Sequence, residues 1–147
     1  MNRIRRVVFD TSTLVSAALR PGFTPHLAWL KALSDCDVFA SPETLGELEL
    51  VLERSKFDRY LKREQRQLFA TNVRRRVLIL KVPDLDPNSA GPASRDPEDN
   101  KFLALALAAE ADAIISSDED LLVLHPWQGI SILSAAQFIT ANSLEGT

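Results

Sequence analysis

The chain has 147 residues, 46% apolar or aromatic (AVILMFWYC) and 25% charged. That is the length and apolar content of one ordinary domain with room for a core, and it excludes global disorder. The lone cysteine, Cys36, leaves neither a disulfide framework nor a cysteine-based zinc site, and no uncharged apolar run approaches the ~20 residues of a membrane helix. The net charge of −3 conceals an asymmetry: residues 1–53 carry 5 Lys/Arg against 7 Asp/Glu, residues 54–81 carry 10 against 2, and residues 82–147 carry 2 against 11.

In chain order, residues 4–10 (IRRVVFD) form a short β-rich run that ends in an acid. This run is too brief for a secretory signal, so a single domain over 1–147 in the cytoplasm is expected. Thr11–Leu19 has helical spacing through Leu14, Val15, Ala18 and Leu19. Thr24 as N-cap and Pro25 at the first position open a second helix with the stripe Leu27, Trp29, Leu30, Leu33. Asp37–Ala40 reads as a strand, and Ser41, Pro42 and Glu43 open a helix whose buried face carries Leu45, Leu48, Val51 and Leu52. A basic amphipathic helix is expected over 59–74 and a strand over 77–82. Residues 83–95, with three prolines, form the longest loop.

Asp96 and Pro97 then start an Ala/Leu-rich helix, with Asp96 as its N-cap. Residues 113–116 (AIIS) are a buried strand, 117–122 a turn and short helix, and 130–133 a last strand. A capping box from Ser134 to Gln137 opens the terminal helix. Strands alternating with helices predict an α/β fold with a parallel sheet covered on both faces. The apolar strands around Val8 and Ile114 should be central.

In such sheets chemistry sits outside the carboxyl ends of the strands, where strand order reverses. Asp10 closes the first strand, and Asp118 and Asp120 follow the fourth. A right-handed crossover also starts the helix bearing Asp99 at that rim. Glu47 lies one turn into the helix after the second strand, at the edge of its apolar stripe. Asp99 also suits a helix dipole, and Asp120 a cap, but Asp10 has no structural need of its charge.

Apart from Lys101, these segments contain no Lys or Arg. Carboxylates converging without cations call for a hard divalent ion, Mg²⁺ or Mn²⁺. The basic residues Arg59, Lys62, Arg63, Arg66, Arg74, Arg75 and Arg76 are candidates to hold an RNA backbone. His26 and His125 lack metal-ligand spacing and read as surface or loop residues. Trp29 and Trp127 read as packing residues rather than base-stacking platforms.

Four segments together resemble the acidic motifs of PIN (PilT N-terminal) domain nucleases: Asp10-Thr-Ser-Thr-Leu-Val-Ser-Ala, Leu-Gly-Glu47-Leu, Asp99-Asn-Lys-Phe-Leu-Ala-Leu-Ala and Ser116-Ser-Asp118-Glu-Asp120-Leu. They stand in the family's order and cover essentially the whole chain. Residues 52–57 (LERSKF) and 135–138 (AAQF) are similar to the stand-alone, VapC-like toxins of type II toxin–antitoxin pairs.

The resemblance implies a three-layer α/β/α sandwich around a five-stranded parallel sheet. It also implies ribonuclease activity with one or two Mg²⁺ or Mn²⁺ ions, an RNA substrate, a homodimer and a cognate antitoxin. By position, Asp10, Glu47, Asp99 and Asp118 would be the catalytic acids, and Asp10, Asp99, Asp118 and Asp120 the metal ligands. Ser12 stands where many members have Asn, its hydroxyl able to orient a metal-bound water or Asp10, and Ser116 where Thr is common; both would be supporting residues. The rival reading is a module of the same fold that binds RNA or a partner without cutting. A quartet of mutually repelling carboxylates would bring such a binder nothing.

Overall fold

The computed structural model describes residues 3–83 and 97–143. Five strands form one parallel sheet: β1 (Arg6–Phe9), β2 (Asp37–Ala40), β3 (Leu78–Ile79), β4 (Ala113–Ile115) and β5 (Ser131–Leu133). Their order is β3-β2-β1-β4-β5, so the direction of winding reverses between β1 and β4. Val8 pairs with Ile114 and Phe9 with Ile115 at that central seam, in agreement with the apolar runs that mark those strands.

The helices among the described residues are α1 (Thr11–Leu19), α2 (Thr24–Asp35), α3 (Pro42–Leu52), α4 (Arg63–Arg76), α5 (Asn100–Ala108), α6 (Glu119–Leu122) and α7 (Ala135–Ser143). Strand alternation divides the core into two layers. Val7, Phe9, Val38, Ala40, Ala113 and Ile115 face a cluster built with α1, α2, α3, α4 and α7. Val8, Ile114 and Ile132 face the other way, against Phe102, Leu103, Leu105 and Ala106 of α5 and Leu121 of α6. The sandwich and its five parallel strands are as expected. Among the described residues no helix is long and apolar enough to cross a membrane.

Several elements differ from the sequence reading. The second helix is capped at Phe23 rather than Thr24, and it buries Ala28, Trp29 and Ala32 while Leu27 and Leu30 stand half exposed. Small residues let α2 lie close to its neighbours, and the Trp29 indole meets Phe9 edge-on at 5.6 Å between ring centroids. The basic helix begins at Arg63, because residues 55–57 form a separate 3₁₀ turn. The strand expected over 77–82 pairs only through Leu78–Ile79, with Leu80 N–H donating to Ala40 O at 2.8 Å. It is an edge strand, and both its paired side chains are exposed.

A 3₁₀ turn over Pro97–Asp99 precedes α5. The Asp96 cap and the loop after residue 83 lie outside the described residues. His125 lies exposed in a loop as read, whereas His26 falls in the first turn of α2; His26 Nδ1 accepts from Gly22 N–H, and His125 Nδ1 from Ile132 N–H, each at 2.9 Å.

Candidate active site

The backbone of β1 runs on into Asp10, whose N–H still donates to Ile115 O at 3.1 Å. That residue then caps α1, its Oδ1 accepting from Thr13 N–H at 2.9 Å. Its Oδ2 accepts from the hydroxyls of Ser116 and, at 3.3 Å, Ser12. Asp10 is only 3% exposed. Burial pushes its carboxyl above the ordinary Asp range, and the hydrogen bonds from Ser116, Thr13 and Ser12 oppose that shift without cancelling it. Ser116 also links two motifs, since its Oγ accepts from Asp118 N–H at 2.9 Å while donating to Asp10. Ser12 lies 3.0 Å from the Ser117 hydroxyl.

Asp118 caps α6 through Asp120 N–H, 2.9 Å from its Oδ1. Asp99 reaches the same place from the turn before α5 and is 7% exposed. Asp99, Asp118 and Asp120 each bring one carboxylate oxygen within 4.8 Å of the other two. That spacing leaves the three carboxylates able to hold one hard divalent ion. An all-carboxylate donor set with no His or Cys suits Mg²⁺ or Mn²⁺ better than zinc. Asp10 lies outside this trio and reaches it through Ser116, one hydrogen bond away.

Glu47 sits apart electrostatically. Its Oε2 accepts from the Thr11 hydroxyl, and its Oε1 lies 2.8 Å from Lys101 Nζ. Burial alone would lower the Lys101 pKa, but Glu47 and then Glu98, 3.3 Å away, hold the ammonium above its ordinary range. Thr11 and Lys101 thus fix the position of the Glu47 side chain. Asp10, Thr11, Ser12, Glu47, Asp99 and Asp118 all line one cleft of about 660 Å³ at the carboxyl rim of the sheet.

The seven basic residues are placed apart from the acids, and one of them, Arg66, departs from expectation. None of the seven lines this cleft. Arg66 is 0% exposed and bonded to the chain around it, so it cannot meet RNA; its place on the inner face of α4 is set by carbonyl acceptors that the helix packs against. Arg63 pairs with Glu53 at 2.6 Å, and Arg74 with Glu49. Arg75 and Arg76 are exposed in the last turn of α4. Arg59 and Lys62 are exposed in the segment before that helix. The arginines that do line the cleft are Arg20 and Arg54, with Phe57 and Tyr60 beside them. Arg54 was within reach of the sequence, since Glu47 and Val51 lie one turn apart on the face of α3 that meets the cleft and Arg54 follows three residues later, just past the helix end.

The carboxyl rim of a β3-β2-β1-β4-β5 sheet thus gathers acids of all four motifs, and the PIN domain profile matches residues 6–120, which span them. The chain belongs to the PIN domain family. This PIN domain protein is 30% identical over 127 residues to Uncharacterized protein MJ1680 of Methanocaldococcus jannaschii, covering 85% of the chain and 79% of that relative.

Its fold is similar to the crystal structure of PAE2754 from Pyrobaculum aerophilum, with a TM-score of 0.63 at 16% identity over 95% of this chain and 90% of the other. It is equally similar to VapBC2 from Rickettsia felis, bound to a DNA fragment from their promoter, with a TM-score of 0.63 at 14% identity over 88% and 98% of the two chains. At these identities the two likenesses speak for the fold. Membership in the PIN family places the chain among nucleases of the hydrolase class.

Proposed function

We propose that the chain, as one PIN domain, is a divalent-metal-dependent ribonuclease that hydrolyses RNA phosphodiester bonds. The observation that carries this reading is the meeting of Asp99, Asp118 and Asp120 beside the buried Asp10. Asp99, Asp118 and Asp120 would hold Mg²⁺ or Mn²⁺, with Asp10 behind them. When bound, such an ion supplies Lewis-acid polarisation of the phosphodiester and a lowered pKa for a water.

The chain's own residues prepare the rest. Ser116 and Ser12 aim the Asp10 carboxylate, and the Ser116 hydroxyl also fixes the Asp118 backbone. Thr11 and Lys101 fix the Glu47 side chain at the cleft wall, where it can accept a hydrogen bond from the attacking water and orient it. A cytoplasmic toxin of a toxin–antitoxin pair, acting as a homodimer against RNA and restrained by a cognate antitoxin, fits this chemistry. The shared fold with VapBC2 supports that role.

Cleavage of labelled single-stranded RNA with Mn²⁺ or Mg²⁺, beside EDTA and Asp99→Asn, tests the reading. Cleavage should disappear in both controls. A folded protein that binds RNA but never cuts it would instead be a binding module.

A further inference from the structure

An acidic cleft repels the polyanion it is meant to cut, so an RNA-cutting site needs cationic or stacking contacts at its own edge. The seven basic residues named from the sequence leave that need unmet, because none of them lines the cleft. The segment over 54–60 (RSKFDRY) does meet it. Arg54, Phe57 and Tyr60 all line the cleft, and Arg20 lines it from the turn after α1. Arg54 is exposed, and Tyr60 is 59% exposed. The Arg59 guanidinium lies 5.3 Å from the Tyr60 ring centroid, and Lys56 Nζ lies 5.2 Å from that of Phe57. Basic groups interleaved with rings are the composition that grips single strands, through phosphate contacts and base stacking.

Such a segment would ordinarily be loose, but a second observation explains its shape. Arg66 is fully buried, and all three arms of its guanidinium are engaged. Nε donates to Leu52 O at 2.6 Å, one terminal nitrogen donates to Leu61 O, and the other to Asp58 Oδ1 at 2.8 Å. Those acceptors lie just before, within and just after the 54–60 segment. Burying a cation costs several kcal/mol unless it is fully bonded, and the candidate chemistry makes no use of this one. Its bonds fix the loop that presents Arg54 and Tyr60.

We infer that the stapled 54–60 segment, together with Arg20, is a positioning subsite for single-stranded RNA. Arg54 and Arg20 contact phosphates flanking the scissile one, and the Tyr60 ring stacks on a neighbouring base. This rests on the ribonuclease reading and adds to it where the strand lies. A duplex keeps its bases stacked inside, so the Tyr60 contact selects single strands.

The test measures fluorescence anisotropy of a 5′-labelled RNA 12-mer in EDTA, where binding is read without turnover, and then cleavage with Mn²⁺. Arg54→Ala should bind about tenfold more weakly, with a salt slope smaller by about 0.7. Tyr60→Ala should lose about five- to tenfold, and Tyr60→Phe should bind as wild type because the ring is retained. Lys81→Ala, an exposed basic control away from the cleft, should stay within about twofold. In cleavage, KM should rise for Arg54→Ala and Tyr60→Ala while kcat stays within about threefold.

Wild-type binding by both alanine variants, in a protein that still cuts RNA, would overturn the subsite and leave the ribonuclease reading intact. Equal loss in Tyr60→Phe and Tyr60→Ala would overturn the stacking contact. A wild-type protein that neither binds nor cuts RNA would overturn the ribonuclease reading, and the subsite with it.

Discussion

Acidic and basic residues are both concentrated in this chain, and folding treats them in opposite ways. The acids of the candidate site come from four segments between Asp10 and Asp120, yet those segments meet at one rim. The basic residues come from one short stretch, residues 54–81, yet they scatter. Arg66 goes inside, Arg63 and Arg74 pair with α3, and Arg54 alone of that stretch reaches the cleft.

The cause is geometric. A parallel sheet gathers the carboxyl ends of β1, β2 and β4 along one edge, whatever their separation in sequence. A helix turns successive residues by 100°, so a run of neighbouring charges is distributed around its whole circumference. Proximity in sequence is therefore a poor guide to a shared surface, and position at a strand end is a better one.

The largest effect should fall on the acids. Asp99→Asn or Asp118→Asn should reduce RNA cleavage by a factor on the order of 10²–10⁴, measured under single turnover. Glu43→Gln, in the first turn of α3 and exposed, should leave the rate unchanged. Equal losses in all three would mean that the rim does not distinguish its acids from a surface carboxylate.

Next comes the buried cation. Arg66→Ala should destabilise the protein by about 2–4 kcal/mol in urea unfolding, because two backbone carbonyls lose their donor and a fully buried side chain is removed. Arg63→Ala, which removes an exposed pair, should cost less than about 1 kcal/mol.

The smallest effect concerns Asp10 and has the opposite sign. Its folded pKa is raised, so the charged form is a burden near neutral pH, and stability is lost as pH rises through the folded value. Asp10→Asn keeps an acceptor for Thr13 N–H and removes the charge. In EDTA the variant should be more stable than wild type at pH 7, by on the order of 1 kcal/mol. That gap should close as pH falls and wild-type Asp10 takes up its proton. Cleavage should be lost at every pH.

Much of this was legible before any coordinates. Thr11–Leu19 and Asp37–Ala40 fall where their spacing and flanking residues put them, and Ser41 with Pro42 marks the start of α3. The strand-end carboxylates Asp10 and Asp118 were legible as acids following apolar runs, although each also caps the helix after it, α1 and α6.

What stayed hidden depended on contacts between distant segments. The inward face of α2 is set by Ala28 and Ala32 rather than its leucines, because small residues allow close helix packing. The interior place of Arg66 needs the carbonyls of Leu52 and Leu61, which face it only once α3 and α4 have packed. The Lys101–Glu47 pair joins α5 to α3 across the cleft. Neither its spacing nor its charge announces it.

Mn²⁺ binding followed by electron paramagnetic resonance tests the convergence of the acids most directly. Wild-type protein should take up Mn²⁺, Asp99→Asn and Asp118→Asn should each bind at least about tenfold more weakly, and Glu43→Gln should match wild type. Wild-type affinity in both Asp→Asn variants would contradict the account, because the rim carboxylates would then not be the groups that hold the ion.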